Sequence, residues 1–222
     1  MDLRNQTITG DKMNFELYNE SAYMAAYLRR IWIQEVETLA IDVVNFTHNT
    51  SAQMDEILAH RVGLIPVIST AVSEFVVKES CTCESNLCNK CAVIFELDVT
   101  ADKDFVWVTE TDFKTNNPKV YPKIYPKNYP INIAQLKKGQ RIAFRAIVRK
   151  GSGSQHAKWM PVAVPTINYE DEDINEDGIF KKIKMSYEAV GQLPLEDILI
   201  ESLVILRRQL LRLAYQLHRE NK

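Results

Sequence analysis

The chain has 222 residues, enough for one large domain or two small ones with a real buried core. Apolar residues make up 46% and charged residues 25%, ordinary globular usage that argues against global disorder or a fibre. The formal net charge of −2 singles out no partner. No window nears ~18 uninterrupted apolar residues and no apolar stretch follows Met1 to Asn5, so neither a membrane helix nor a secretory signal is expected. The chain is therefore expected to be soluble and intracellular.

Residues 19–36 are predicted to be helical: Ala22, Ala25, Leu28, Trp32 and Val36 recur at helical steps behind Asn19 or Ser21 as N-cap. Thr38 to Phe46 is short and β-branched, the pattern of a buried strand. A short helix is predicted from Gln53 to Val62, with Asp55 and Glu56 in its first turn, Gly63 as C-cap candidate and Pro66 as a stop. Val93, Phe95, Leu97 and Val99 alternate with Ile94, Glu96 and Asp98, a half-buried strand. Ile142, Phe144, Ala146 and Val148 alternate with Arg141, Arg145 and Arg149, a second strand with a basic outer face.

Between those strands, Tyr121-Pro122-Lys123, Tyr125-Pro126-Lys127 and Tyr129-Pro130 form a near-repeat whose prolines exclude helix and central strand, leaving an extended surface loop. Gly151 to Ser154 reads as a flexible turn. Glu170 to Asp177 carries six acids in eight residues and reads as an exposed loop, followed by a strand from Ile183 to Ala189.

The clearest periodicity comes last. Pro194 suits a first helical position, and Glu196 and Asp197 follow where the helix dipole favours acids. Leu199, Leu203, Leu206, Leu210, Leu213 and Leu217 step by four and three, and Arg207, Arg208, Arg212 and Arg219 load the C-terminal half. A sustained leucine seam of this length predicts a helix–helix contact, either with a partner chain or within its own domain.

The even net charge hides an uneven distribution. Between Phe113 and Tyr169 there are eleven Lys or Arg and no acid, leaving sixteen basic residues elsewhere against all twenty-nine acids. Such a segment either faces something negative or consists of strands with basic solvent faces. Tyr121, Tyr125 and Tyr129 would suit base stacking, so single-stranded nucleic-acid binding is the alternative function this segment raises.

All four cysteines fall within eleven residues: Cys81, Cys83, Cys88 and Cys91. A disulfide framework is not expected in a cytosolic chain. Four soft ligands on a turn-rich segment can instead close a tetrahedral site around one structural zinc ion, with no position left for water. The usual iron–sulfur runs are spaced differently. Asp173 to Gly178 matches the opening of a calcium loop, but the position that needs a bidentate carboxylate is Lys184, which argues for a solvated acidic loop. His48, His60, His156 and His218 are scattered, and no nucleophile elbow, metalloprotease helix or phosphate-binding glycine loop is present, so no catalytic residue is assigned.

Leu28-Arg29-Arg30, Glu35 to Ile41, Asn49 to Ser51 and Asp55 to Pro66 together resemble the signature of the α-like subunits of multisubunit DNA-directed RNA polymerases. The larger α-like subunit of archaeal and eukaryotic enzymes, the third-largest subunit type, is the most similar. Lys138 to Gln140 and His156 to Val162 resemble that subunit's insert domain, and Glu188 to Pro194 resembles the approach to its last helix. Met160-Pro161 and Val36-Glu37-Thr38 depart from the usual pattern and suggest a diverged lineage, a viral one included.

The resemblance implies an α+β fold. A discontinuous dimerisation domain, 1–68 with 166–222, would carry an inserted mainly-β domain, 69–165, whose zinc-binding loop holds the four cysteines. It implies a non-catalytic subunit for transcription that heterodimerises with a small α-like subunit. Leu28 and Trp32 on the first helix would contribute to that interface, together with the leucines of the last helix. Arg29 and Arg30 would face the second-largest subunit, small zinc-binding subunits would join the platform, and DNA would be reached only through the complex. The location implied is the nucleus for a cellular eukaryotic chain, or the cytoplasm or virion for an archaeal or viral one.

Overall fold

The computed structural model describes residues 2–84, 87–126, 129–169, 174–175 and 178–220. The chain divides into two compact units, Met1–Val36 with Ser152–Lys222, and Glu37–Gly151. The architecture is mixed α+β, with the chain's two ends in one unit and a β-rich middle in the other. No helix among the described residues is long and apolar enough to cross a membrane.

The first unit is a four-stranded antiparallel sheet beneath two helices. Its strand order is β1 (Asp2–Thr9), β2 (Lys12–Ser21), β10 (Ile179–Ala189) and β9 (Val162–Asn168). The β1–β2 hairpin closes through Gly10, whose φ of +60° suits a residue without a Cβ. Met13, Phe15 and Leu17 of β2 turn inward beside Ile183, Met185 and Tyr187 of β10. On this layer lie α1 (Ala22–Gln34) and α3 (Leu195–Glu220). Ser21 caps α1 by accepting the Met24 N–H at 3.3 Å.

Trp32 is the keystone of this core, 5.9 Å from Phe15 and 4.7 Å from Tyr187 between ring centroids. Its indole N–H donates to Ser202 Oγ at 3.0 Å, and the Tyr187 hydroxyl donates to the Leu195 carbonyl at 2.6 Å. Both bonds tie the start of α3 to the sheet and α1. Further along, Tyr27 donates to Gln209, and Gln209 in turn donates to Glu35. Gly153 lies against the end of α1, where an added Cβ would come within 1.8 Å of the Ile33 carbonyl oxygen. The glycine is thus required by a close backbone approach.

The second unit holds a sheet ordered β3 (Glu37–Asn49), β8 (Arg141–Ser152), β4 (Val93–Thr100) and β6 (Lys114–Thr115). A smaller antiparallel pair joins β5 (Val106–Thr109) to β7 (Asn132–Leu136). Helix α2 (Asp55–Gly63) packs against β3 and adds Leu58 and Val62 to a core that includes Leu39, Ile41, Phe95 and Phe144.

The compact units meet at 36/37 and 151/152, while the resemblance implies domain limits at 68/69 and 165/166. The cause is packing: β3 belongs to the β8–β4 sheet and α2 covers the same core, while β9 pairs with β10. Gly63 is the last residue of α2, and Leu64 occupies the C-cap. Arg149 departs from the predicted basic outer face. Its side chain is only 9% exposed and pairs with Asp42 at 2.9 Å.

Candidate metal centre and assembly surface

The four cysteines converge. A short 3-10 turn, Lys78–Ser80, delivers Cys81, whose N–H bonds to the Lys78 carbonyl at 3.2 Å. The second pair is formed by a tight turn in which the N–H groups of Cys91 and Ala92 both donate to the Cys88 carbonyl at 3.0 Å. Cys91 is buried just before β4, beside Ala92 and Ile147, while the other three cysteines are half-buried. The base of the loop is tied by the Val76 N–H donating to the Lys90 carbonyl at 2.8 Å.

The sulfurs stand 3.3 Å apart for Cys81–Cys83 and 3.6 Å for Cys81–Cys88, Cys83–Cys91 and Cys88–Cys91. All four ligand atoms lie within 4.8 Å of one another. A tetrahedral ion with metal–sulfur bonds of ~2.3 Å would set its sulfurs roughly 3.8 Å apart, so a small expansion accommodates one ion. As thiols, Cys83 and Cys91 are pushed in opposite directions. The Cys83 thiol is drawn down to about 6, first by its hydrogen bond with Cys81 and then by the Cys88 backbone. The Cys91 thiol is pushed up to about 12, chiefly by burial. The cluster can chelate a metal ion.

The predicted interface residues separate into two groups. Leu28, Trp32, Leu199 and Leu206 are buried in the first unit's own core. The reason is that α1 and the first three turns of α3 spend this face on the sheet. Leu203 is half-buried, and Leu210, Leu213 and Leu217 are exposed. Arg29 is half-buried and Arg30 exposed on α1.

Two features of this surface escaped the sequence reading. An apolar groove of about 520 Å³ runs past Met24, Leu206, Leu210, Leu211 and Ala214, with Glu20 and Arg207 at its rim. Ile200, Val204, Leu211 and Tyr215 form a second exposed apolar stripe, and their four-seven-four spacing was legible beside the stronger leucine repeat.

Part of the basic segment is neutralised within the second unit. Among the described residues, five of its cations pair with acids: Lys119 with Glu74, Arg141 with Asp98, Arg145 with Glu96, Arg149 with Asp42 and Lys150 with Glu37. Glu96 lies directly across the ladder from Arg145, and Asp98 diagonally from Arg141. Four of these pairs lie across neighbouring strands, so part of the charge asymmetry along the chain is strand pairing.

The Tyr-Pro-Lys loop is pinned. The buried Glu110 carboxylate accepts the N–H of Ile131 at 2.7 Å and of Tyr125 at 3.4 Å, and the Lys123 N–H donates to the Pro66 carbonyl at 2.7 Å. Tyr121 and Tyr129 are exposed and Tyr125 half-buried, while Lys127 lies outside the described residues. Most of the acidic run from Glu170 to Asp177 also lies outside them. Its described Asn175 accepts the Ile179 N–H, and Lys184 sits in β10 opposite Glu16. His156 has a structural task, capping the turn at Ala157–Trp159 by accepting the Lys158 N–H at 3.0 Å.

Residues 35–164 match the family model for the RNA polymerase Rpb3/RpoA insert domain, nearly the span of the second unit. The chain belongs to the Rpb3/RpoA family. It is 38% identical to the DNA-directed RNA polymerase II subunit rpb3 of Dictyostelium discoideum, over 73% of this chain and 56% of that one. It is 36% identical to the DNA-directed RNA polymerase subunit Rpo3 of Methanosphaera stadtmanae, over 67% of this chain and 56% of that one. The RPB3 subunit of Schizosaccharomyces pombe is 28% identical, over 97% of this chain and 86% of that one. The relatives place the chain with the archaeal and eukaryotic type. The matches to the Dictyostelium and Methanosphaera subunits span little more than half the length of each.

Proposed function

We propose that this chain is a non-catalytic assembly subunit of a DNA-directed RNA polymerase. The observation that carries the reading is the second half of α3. Its leucine stripe continues directly from the first unit's core, then emerges at Leu210, Leu213 and Leu217 into solvent. Burying a leucine side chain fully is worth roughly 1.5–3 kcal/mol, so a helix of 26 residues with such a seam favours a partner. A small α-like subunit is the partner proposed, packing a helix along this seam and the adjoining groove.

The remaining roles follow from that arrangement. Arg29 and Arg30, both accessible on α1, suit contacts with the second-largest subunit. Small zinc-binding subunits would complete the platform. Nucleotidyl transfer would belong to the assembled complex, reached by DNA through its other subunits, and the location would be intracellular.

In the second unit Cys81, Cys83, Cys88 and Cys91 would hold one zinc ion. Tetrahedral four-sulfur sites select zinc or iron–sulfur chemistry. Sulfurs 3.3–3.6 Å apart suit a single ion better than a multi-iron cluster, which would hold its cysteines wider. Four thiolates close the coordination shell, so the ion would lock the loop onto β4 and β8 and supply no reactive water.

The test is co-expression with the small α-like chain from the same source, followed by size-exclusion chromatography. A one-to-one heterodimer is expected. A stable, monodisperse monomer that ignores this chain would contradict the reading.

A further inference from the structure

We propose that the outer face of the β5–β7 pair is a contact for single-stranded nucleic acid, a direct contact beyond the scaffold role. Trp107, in β5, is 50% exposed, and Phe105, the residue just before β5, is 67% exposed. Their backbones are at most about 7 Å apart, so one strand end carries both rings. Across the ladder Trp107 faces Gln135, and Lys137 follows directly after the end of β7. Gln135, Lys137, Lys138 and Lys103 are all exposed. Lys138 is held against the residue that precedes Phe105, since its N–H donates to the Asp104 carboxylate.

The inner face explains why the Trp107 ring points outward. Val108, Ala134 and Leu136 are buried in the second unit's core, so the pair is anchored and its opposite face is left to solvent. Phe105 is held at φ +64°, a conformation costly for a bulky residue. The strain is fixed by a tight set of bonds: Gly139 N–H to the Ala101 carbonyl, Ala101 N–H to the Gln140 carbonyl, and Lys138 N–H to the Asp104 carboxylate at 3.0 Å. Asp102 also lies on this turn, exposed, and Asp104 is turned toward the Lys138 backbone.

Two rings for stacking with lysines for phosphates is the combination that binds single strands without strong sequence preference. An apolar protein partner would gain nothing from the lysines, and a duplex would offer no unstacked base to the rings.

The three tryptophans make the test direct, because Trp32 and Trp159 are buried and Trp107 is the exposed one. Titrating the full chain with oligo-dT or oligo-U at low salt is expected to quench the fluorescence saturably, and the affinity is expected to fall with salt. With a labelled oligonucleotide followed by anisotropy, Trp107→Ala is expected to weaken binding roughly 5- to 100-fold, and Trp107→Phe to retain most of it. Lys137→Glu with Lys138→Glu is expected to lower the salt slope by roughly 1.4, the share of two phosphate contacts. No saturable quenching, or binding unchanged in both the Trp107→Ala and the double lysine variants, would overturn the proposal.

Discussion

Leu206 and Leu213 lie seven residues apart on the same stripe of α3, yet one is 5% exposed and the other 53%. Truncating each to alanine is expected to separate folding from assembly. At Leu206 the removed methyl groups leave a cavity among the residues that pack on Trp32 and the sheet, and the loss expected is about 2–4 kcal/mol. At Leu213 the side chain is already in water, so the isolated chain is expected to change by no more than ~0.5 kcal/mol. Urea unfolding followed by the fluorescence of Trp32 and Trp159, both buried in the first unit, measures the difference. The interface reading needs the opposite order. Leu213→Arg is expected to leave the isolated chain folded and abolish heterodimer formation, whereas Leu206→Arg would bury a charge and destroy the unit itself. Equal losses at the two positions, or a Leu213→Arg chain that still co-purifies with the small partner, would refute the assignment of core and seam.

Three further outcomes follow from individual contacts. Cys88→Ser is expected to drop bound zinc from one equivalent per chain to well below it and to lower the melting temperature of the second unit; a full equivalent in that variant would sink the four-sulfur site. Glu110→Ala strips the acceptor from the Tyr125 and Ile131 amides, so a loss of about 1–3 kcal/mol is expected, with faster hydrogen exchange at those two amides as the local signature. Gly153→Ala would drive a Cβ into the Ile33 carbonyl, and a loss of about 1–3 kcal/mol or more is expected; unchanged urea stability would mean the approach is looser than 1.8 Å implies.

The elements legible in the sequence are those whose local pattern agrees with their final packing. Helix α1, strands β4 and β8 and helix α3 all show one apolar face in the right period, and the four cysteines needed only their closeness in sequence. Strands β1 and β2 left a weaker trace. Met13, Phe15 and Leu17 alternate, but the partner that completes their sheet is β10, over 160 residues away. The strand β7 is five residues long and has no alternation, because Ile133 and Ala134 are both buried. Long-range pairing also accounts for part of the basic segment. Arg141, Arg145, Arg149 and Lys150 read as a run of free cations until Glu37, Asp42, Glu96 and Asp98 are brought beside them on neighbouring strands.

The leucine repeat shows a different limit. Periodicity identifies the stripe, but it does not say how far the chain's own sheet extends beneath it. The sheet and α1 cover the stripe to Leu206 and leave Leu210 onward open. The division into compact units is illegible for a similar reason, since β3 and α2 are contiguous in sequence with α1 but add their side chains to the other core. Glu110 carried no local signal at all, because its carboxylate is defined by two amides 15 and 21 residues away.

The central claim is that the chain works as an assembly part, and affinity capture of the tagged chain from its native source tests it most directly. Mass spectrometry of the retained proteins is expected to show two very large chains together with a small α-like one. Recovery of nucleic acid with no large chains would contradict the scaffold account.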